Sequence, residues 1–136
     1  MSITIKARSI SQGVGTGEIL ISPEPISFLS GVDPETGIVM EAGHPLEGVP
    51  VGGKVLVFPD GKGSTVGSYV IYALERSGKA PAAIINLDAE PIIAVGAIIA
   101  GIPMVDRPQG SVMDLRTGTV VTVDGNSGAI VCELSE

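Results

Sequence analysis

A chain of 136 residues with 44% apolar side chains can bury a core of its own, and with only 3% aromatics and no Trp that core has to be aliphatic. Eight basic against fifteen acidic residues leave a net charge of −7, which argues against nucleic-acid binding through a basic footprint or aromatic stacking platforms. Cys132 is the single cysteine, so this chain can supply neither an internal disulfide nor a thiolate zinc or iron–sulfur site.

The N-terminal "MSITIKARSI" lacks the apolar core of a signal peptide. The longest apolar tract, "PIIAVGAIIAGIPMV", is too short and too broken by Gly and Pro to span a bilayer. One domain over 1–136, cytoplasmic and without nucleic-acid or membrane partners, is the expectation. The alternating "ITIKARSI" predicts a first strand and "GEILIS" a second, closed by Pro23 and Pro25. "ISFLSGVD" and "GIVME" flank the turn residues "PETG" and predict a hairpin or corner; "HPLEGVPVGG" predicts a loop. "KVLVF" is a continuous apolar run of the kind covered on both faces.

After it comes "FPDGKGSTVGSYV", then apolar residues at helical spacing: Val66, Tyr69, Val70, Ala73 and Leu74. Ser64 or Thr65 is placed to cap that helix, and Gly78 with Pro81 to end it. "AAIINL" predicts another buried strand. "DAEPIIAVGAIIAG" predicts a helix with Asp88 as its N-cap, Pro91 in the first turn and Gly101 past the end. Being apolar nearly all round, that helix is expected to be buried. "IPMV" is a third short strand, and "TGTVVTVDGNSGAIVCEL" a hairpin holding Cys132 as a buried structural thiol. The fold class expected is α/β, a β-rich shell around a small parallel βαβαβ core with right-handed crossovers.

The glycine loop admits several chemistries. Neither "GVPVGGKV", with Val55 in the hydroxyl position, nor "GKGST", without the upstream glycine, satisfies a P-loop. Gly61, Gly63 and Gly67 with Asp88 resemble a dinucleotide fingerprint, but the spacing is G-x-G-x-x-x-G and too few crossovers follow. A Ser-His-Asp nucleophile would have to use His44, the only histidine, and "GKGST" is not the G-x-S-x-G elbow. A helix cap on Ser64 is the plain structural reading. Glycines before and after it add close backbone approach, and a helix N-terminus adds N–H groups and partial positive charge. Together they describe a site for a small anion beside a serine whose negative form is favoured.

"LVFPDGKGSTVGSYVIYAL", "INLDAEPIIAVGAIIAGIPMVD" and "TGTVVTVDG", together with "GHPLEG", resemble the small subunits of archaeal dehydratases of the aconitase X family over essentially the whole chain. That resemblance implies a swivelling β/β/α domain equivalent to the mobile domain of aconitases. It implies dehydration of (R)-5-phosphomevalonate to trans-anhydromevalonate 5-phosphate in the archaeal mevalonate route to isoprenoids. A separate large subunit is implied to carry a [4Fe-4S] cluster on its own cysteines. The family's catalytic serine maps onto Ser64 as general base, with Lys62, Gly63 and Thr65 as substrate contacts. Aconitases carry an arginine two residues after that serine; here the position is Val66, which speaks against citrate or isocitrate as substrate. The alternatives are a dehydratase subunit of the same family for another hydroxy acid, a non-catalytic swivelling carrier that uses His44, and a dinucleotide module.

Overall fold

The alternation in "ITIKARSI" does produce extended chain, but in two pieces: β1 (Ser2–Lys6) and β2 (Arg8–Ser11), parted at Ala7. The computed structural model describes residues 2–28, 31–60 and 67–133. Its further elements are β3 (Val14–Ile21), β4 (Val55–Phe58), α1 (Gly67–Arg76), β5 (Ala83–Asn86), α2 (Pro91–Ala100), β6 (Met104–Asp106), β7 (Val120–Asp124) and β8 (Ala129–Glu133).

The strands form one eight-stranded sheet in the order β1-β8-β7-β3-β4-β5-β6-β2. Strands β3, β4, β5 and β6 run parallel to one another, and α1 and α2 are the crossovers of the expected βαβαβ unit. The β-rich shell continues the same sheet. β3 pairs through Val14–Glu18 with antiparallel β7 and through Ile19–Ile21 with parallel β4, so one strand joins the two regimes. The ends of the sheet are occupied by β1 and β2, with Ala7 alone between them. Lys6 faces Ala129 on one side and Arg8 faces Asp106 on the other. One stretch of chain thus stitches both margins and brings the two ends of the sheet together.

Two aliphatic cores follow from strand periodicity. Val55, Val57, Ile85, Val105, Val121, Val123, Ile130 and Cys132 point into the closed sheet, where Val112 of a short 3-10 turn joins them. The alternate residues, Leu56, Phe58, Ile84 and Met104, face out and are covered by Ile71 and Leu74 of α1 and Ile93 and Ala97 of α2. β4 and β5 are therefore buried on both faces, as their unbroken apolar runs require.

The described residues between 22 and 54 extend the outer core without forming a ladder. Ile26, Phe28, Val32, Val39, Leu46 and Val51 are buried, and the ring of Phe28 lies 5.9 Å from that of Phe58. Of the two forms expected at "PETG", hairpin or corner, the chain takes the corner. Its pairing is one isolated bridge, Val32 to Val39, because Ile38 and Val39 turn to Pro50 and Val49.

α2 departs from expectation at both its start and its surface. Its N-cap is Glu90, whose carboxylate accepts from the N–H groups of Ile92 (3.0 Å) and Ile93 (3.1 Å). Pro91 holds Glu90 extended, within reach of those donors. Asp88 pairs with Arg107 instead, at 3.3 Å. Burial is limited to Ile93, Gly96 and Ala97; Val95, Ile98 and Ile99 are exposed. At the far end Gly101 adopts φ 72°, a left-handed cap that sends its N–H to Ala97 and Ile98. Among the described residues no helix is long and apolar enough to cross a membrane.

Candidate functional site

Parallel strands leave their carboxyl ends on one margin, and an open α/β unit places ligands there. That margin carries a row in register: Phe58 beside Asn86, Asn86 beside Asp106, Asp106 beside Arg8. Asp60 lies just beyond β4, and Gly67 opens α1. Lys62, Gly63, Ser64 and Thr65, together with Gly61 and Val66, lie outside the described residues, as does the expected cap of α1 by Ser64 or Thr65.

The described residues at this margin are tightly specified. Asn86 is fully buried; its Nδ2 donates to the Phe58 carbonyl at 3.1 Å, while its Oδ1 has no hydrogen-bond partner among the described residues. The Pro59 carbonyl accepts from Leu87 (3.0 Å) and Asp88 (3.2 Å), which ties the loop after β4 to the loop after β5. Asp106 is fully buried and receives the Arg8 fork, Nε at 2.8 Å and a terminal nitrogen at 2.7 Å. The Ala89 N–H donates to it as well, at 2.8 Å. Burial pushes the Asp106 carboxyl up, but the Arg8 fork, the Ala89 N–H and the charges of Arg8 and Arg107 outweigh it. The net result is a carboxyl below its ordinary range and an Arg8 guanidinium above its own.

Arg107, just past β6, is the one non-glycine residue with positive φ (49°) among the described residues. A buried amide in "AAIINL" and a carboxylate closing "IPMVD" were the sequence signals for Asn86 and Asp106. Pattern reading gave Asn86 to an apolar strand and ended the next, "IPMV", one residue short of Asp106. Arg8 and Arg107 carried no local signal, because their partners are set by strand order.

Two helix N-termini meet this margin and they are not equivalent. Glu90 already supplies a carboxylate to α2. The first turn of α1 contains no acidic side chain, so its partial positive charge has no carboxylate of its own there.

His44 is buried in the covering loop, against Ser22, which follows the carboxyl end of β3 and donates its N–H to the Val57 carbonyl of β4 at 2.8 Å. Its Nδ1 accepts from the Leu46 N–H at 3.0 Å, so Nε2 carries the proton, 3.2 Å from the Pro25 carbonyl and 3.4 Å from Ser22 Oγ. Both ring nitrogens are engaged in pinning the loop, which leaves neither for a phosphoryl group.

An iron–sulfur cluster does not fit this chain. Cys132 is its one thiol, fully buried inside the closed sheet, and burial pushes its pKa up, away from the thiolate a metal needs.

A family model described as the aconitase X swivel domain matches residues 4–132. This chain belongs to the aconitase X swivel-domain family. Within it, the chain is 60% identical over 129 residues to the phosphomevalonate dehydratase small subunit of Methanosarcina acetivorans, spanning 94% of this chain and 90% of the relative. To that of Methanocella arvoryzae it is 61% identical over 127 residues, spanning 93% and 96%. The fold superposes on the crystal structure of Thermococcus kodakaraensis aconitase X, holo-form, with a TM-score of 0.92 and 53% identity, covering 97% of this chain and 99% of that one. A UPF0107 protein solved by solution NMR gives a TM-score of 0.87 and 47% identity, covering 98% and 100%. The aconitase X swivel domain is thus an α/β fold, and its closed mixed sheet with two crossover helices is the architecture described above.

Proposed function

We propose that this chain, as a single swivelling domain over residues 1–136, is the small subunit of a hydro-lyase. The reaction is dehydration of (R)-5-phosphomevalonate to trans-anhydromevalonate 5-phosphate, in the archaeal mevalonate route to isoprenoids. The observation that supports this most strongly is 60% identity over 94% of the chain to a subunit whose name states that enzyme.

In this reading Ser64 Oγ, as alkoxide, takes the proton alpha to the substrate carboxylate. The C–H electron pair becomes the new C=C bond and the C–O bond breaks, the hydroxyl leaving with the C–O electron pair; the proton taken by Ser64 returns to that hydroxide through solvent, which gives water as the net product and restores the alkoxide. A serine hydroxyl is a very weak base, so the step depends on preorganised donors that stabilise the alkoxide. An α1 N-terminus free of acidic side chains suits that demand. Lys62, Gly63 and Thr65 contact the anionic substrate, with Lys62 as the nearby cation. A [4Fe-4S] cluster, held by the cysteines of a large partner subunit in the cytoplasm, supplies Lewis acidity to the leaving hydroxyl.

Co-expression with the large subunit of the same genome under anaerobic conditions tests the assignment. Ser64→Ala is expected to abolish water loss from phosphomevalonate, by about three orders of magnitude or more, while the two subunits still co-purify. Near-wild-type turnover in that variant removes Ser64 from the role of base. Turnover of another hydroxy acid with none of phosphomevalonate replaces the substrate but keeps the reaction class.

A further inference from the structure

The geometry points to the outer face of α1 and α2 as the surface on which the cysteine-bearing large subunit docks, an inference that rests on the small-subunit reading above. α2 has no charged side chain anywhere in PIIAVGAIIA. It spends Ile93, Gly96 and Ala97 on the core and leaves Val95, Ile98 and Ile99 exposed by 48%, 57% and 61%. On α1, Tyr69 and Tyr72 are exposed by 73% and 42%. Ser68, Tyr69, Tyr72, Val95 and Ile99 line one largely apolar groove between the helices.

A contiguous aliphatic and aromatic face of this kind marks an interaction surface. The lining of the groove, aromatics with branched aliphatics and no charge, matches the desolvated centre of a stable interface, while the exposed Glu75 and Arg76 stand at the far end of α1. Tyr adds a rigid apolar body with a hydroxyl for the rim.

Continuity with the proposed site decides the occupant. Ser68 and Tyr69 stand on the first turn of α1, directly after residues 61–66. A partner that completes chemistry at Ser64 has to approach the carboxyl margin, and the groove begins there and runs along both helices. A second copy of this chain brings no thiol to that site beyond its own buried Cys132, and sets −7 against −7.

Sedimentation or size-exclusion of this chain mixed with the large subunit of the same genome, prepared anaerobically, measures docking directly. Val95→Lys and Ile99→Lys are each expected to weaken association by about 30-fold or more. Val120→Lys, at an exposed position on β7, binds as wild type. Raising the concentration of the Ile99→Lys chain to saturation restores kcat. Ser64→Ala behaves in the opposite way, with wild-type affinity and no turnover. Wild-type affinity in both helix variants overturns the inference and leaves the small-subunit reading standing. Absence of any binding by the wild-type chain overturns both. Loss of self-association in Ile99→Lys, with large-subunit binding untouched, assigns the face to a second copy and overturns the inference alone.

Discussion

The Arg8–Asp106 pair shows how one charge at the site margin depends on a residue far away in sequence. Asp106 is buried completely while Arg8 is 48% exposed at its side chain, so the carboxylate needs the fork more than the fork needs the carboxylate. Because the folded carboxyl lies below its ordinary range, its contribution to stability is complete above about pH 4 and is lost as the pH falls further. Thermal unfolding followed from pH 7 to 2 is expected to show a flat midpoint that drops at the acid end. Asp106→Asn should lower the neutral midpoint and flatten that drop. In Arg8→Met, burial of Asp106 is less opposed, so its carboxyl moves upward. That variant should lose several degrees at pH 7 and come closest to wild type in acid. An equal loss at every pH would mean that Arg8 acts through packing and not through its charge.

At the scale of elements, α1 and α2 meet where a side chain is missing. A Cβ built on Gly96 would lie 2.9 Å from Ile71 Cδ1 and 3.1 Å from the Ser68 Cα, so only hydrogen fits between the helices. Gly96→Val is expected to destabilise by about 1–3 kcal/mol through overpacking, measured by denaturant unfolding. Glu90→Ala should cost about 1 kcal/mol by stripping the cap from α2. These helices also show which features were legible in the sequence. "KVLVF" and "AAIINL" were recognisable as buried strands because both of their faces are apolar, and the βαβαβ unit followed from their alternation with helical spacing. The surface of α2 was not legible: a helix apolar all round has no periodicity to say which side is covered. The cap was misassigned to Asp88 because side-chain type alone favours Asp over Glu, whereas Pro91 fixes the backbone so that Glu90 reaches. The reversal at 34–37 was open between hairpin and corner because turn residues announce a reversal without saying whether two strands pair after it.

For the whole molecule, strand order was the information least available to local patterns. Nothing in "ITIKARSI" announces that one half will join β8 and the other β6. The site suffered from the same limit: Phe58, Asn86, Asp106 and Arg8 become neighbours only through register. The resemblance to aconitase X small subunits supplied the role proposed for the glycine loop, which local chemistry had left as an anion site. The stitching of both sheet margins by residues 2–11 also sets a timetable. Ser2 pairs with Glu133, so on a ribosome β1 waits for β8, at the other end of the sheet's chain order. The β4–α1–β5–α2–β6 unit, whose strands and helices are close in sequence, has its partners to hand much earlier. Pulse-labelled hydrogen exchange during refolding is expected to protect the amides of β5 and α2 before those of β1 and β8. A nascent chain would accordingly display the uncharged face of α2 before its sheet is sealed, an interval in which that face is open to any apolar surface the cell presents.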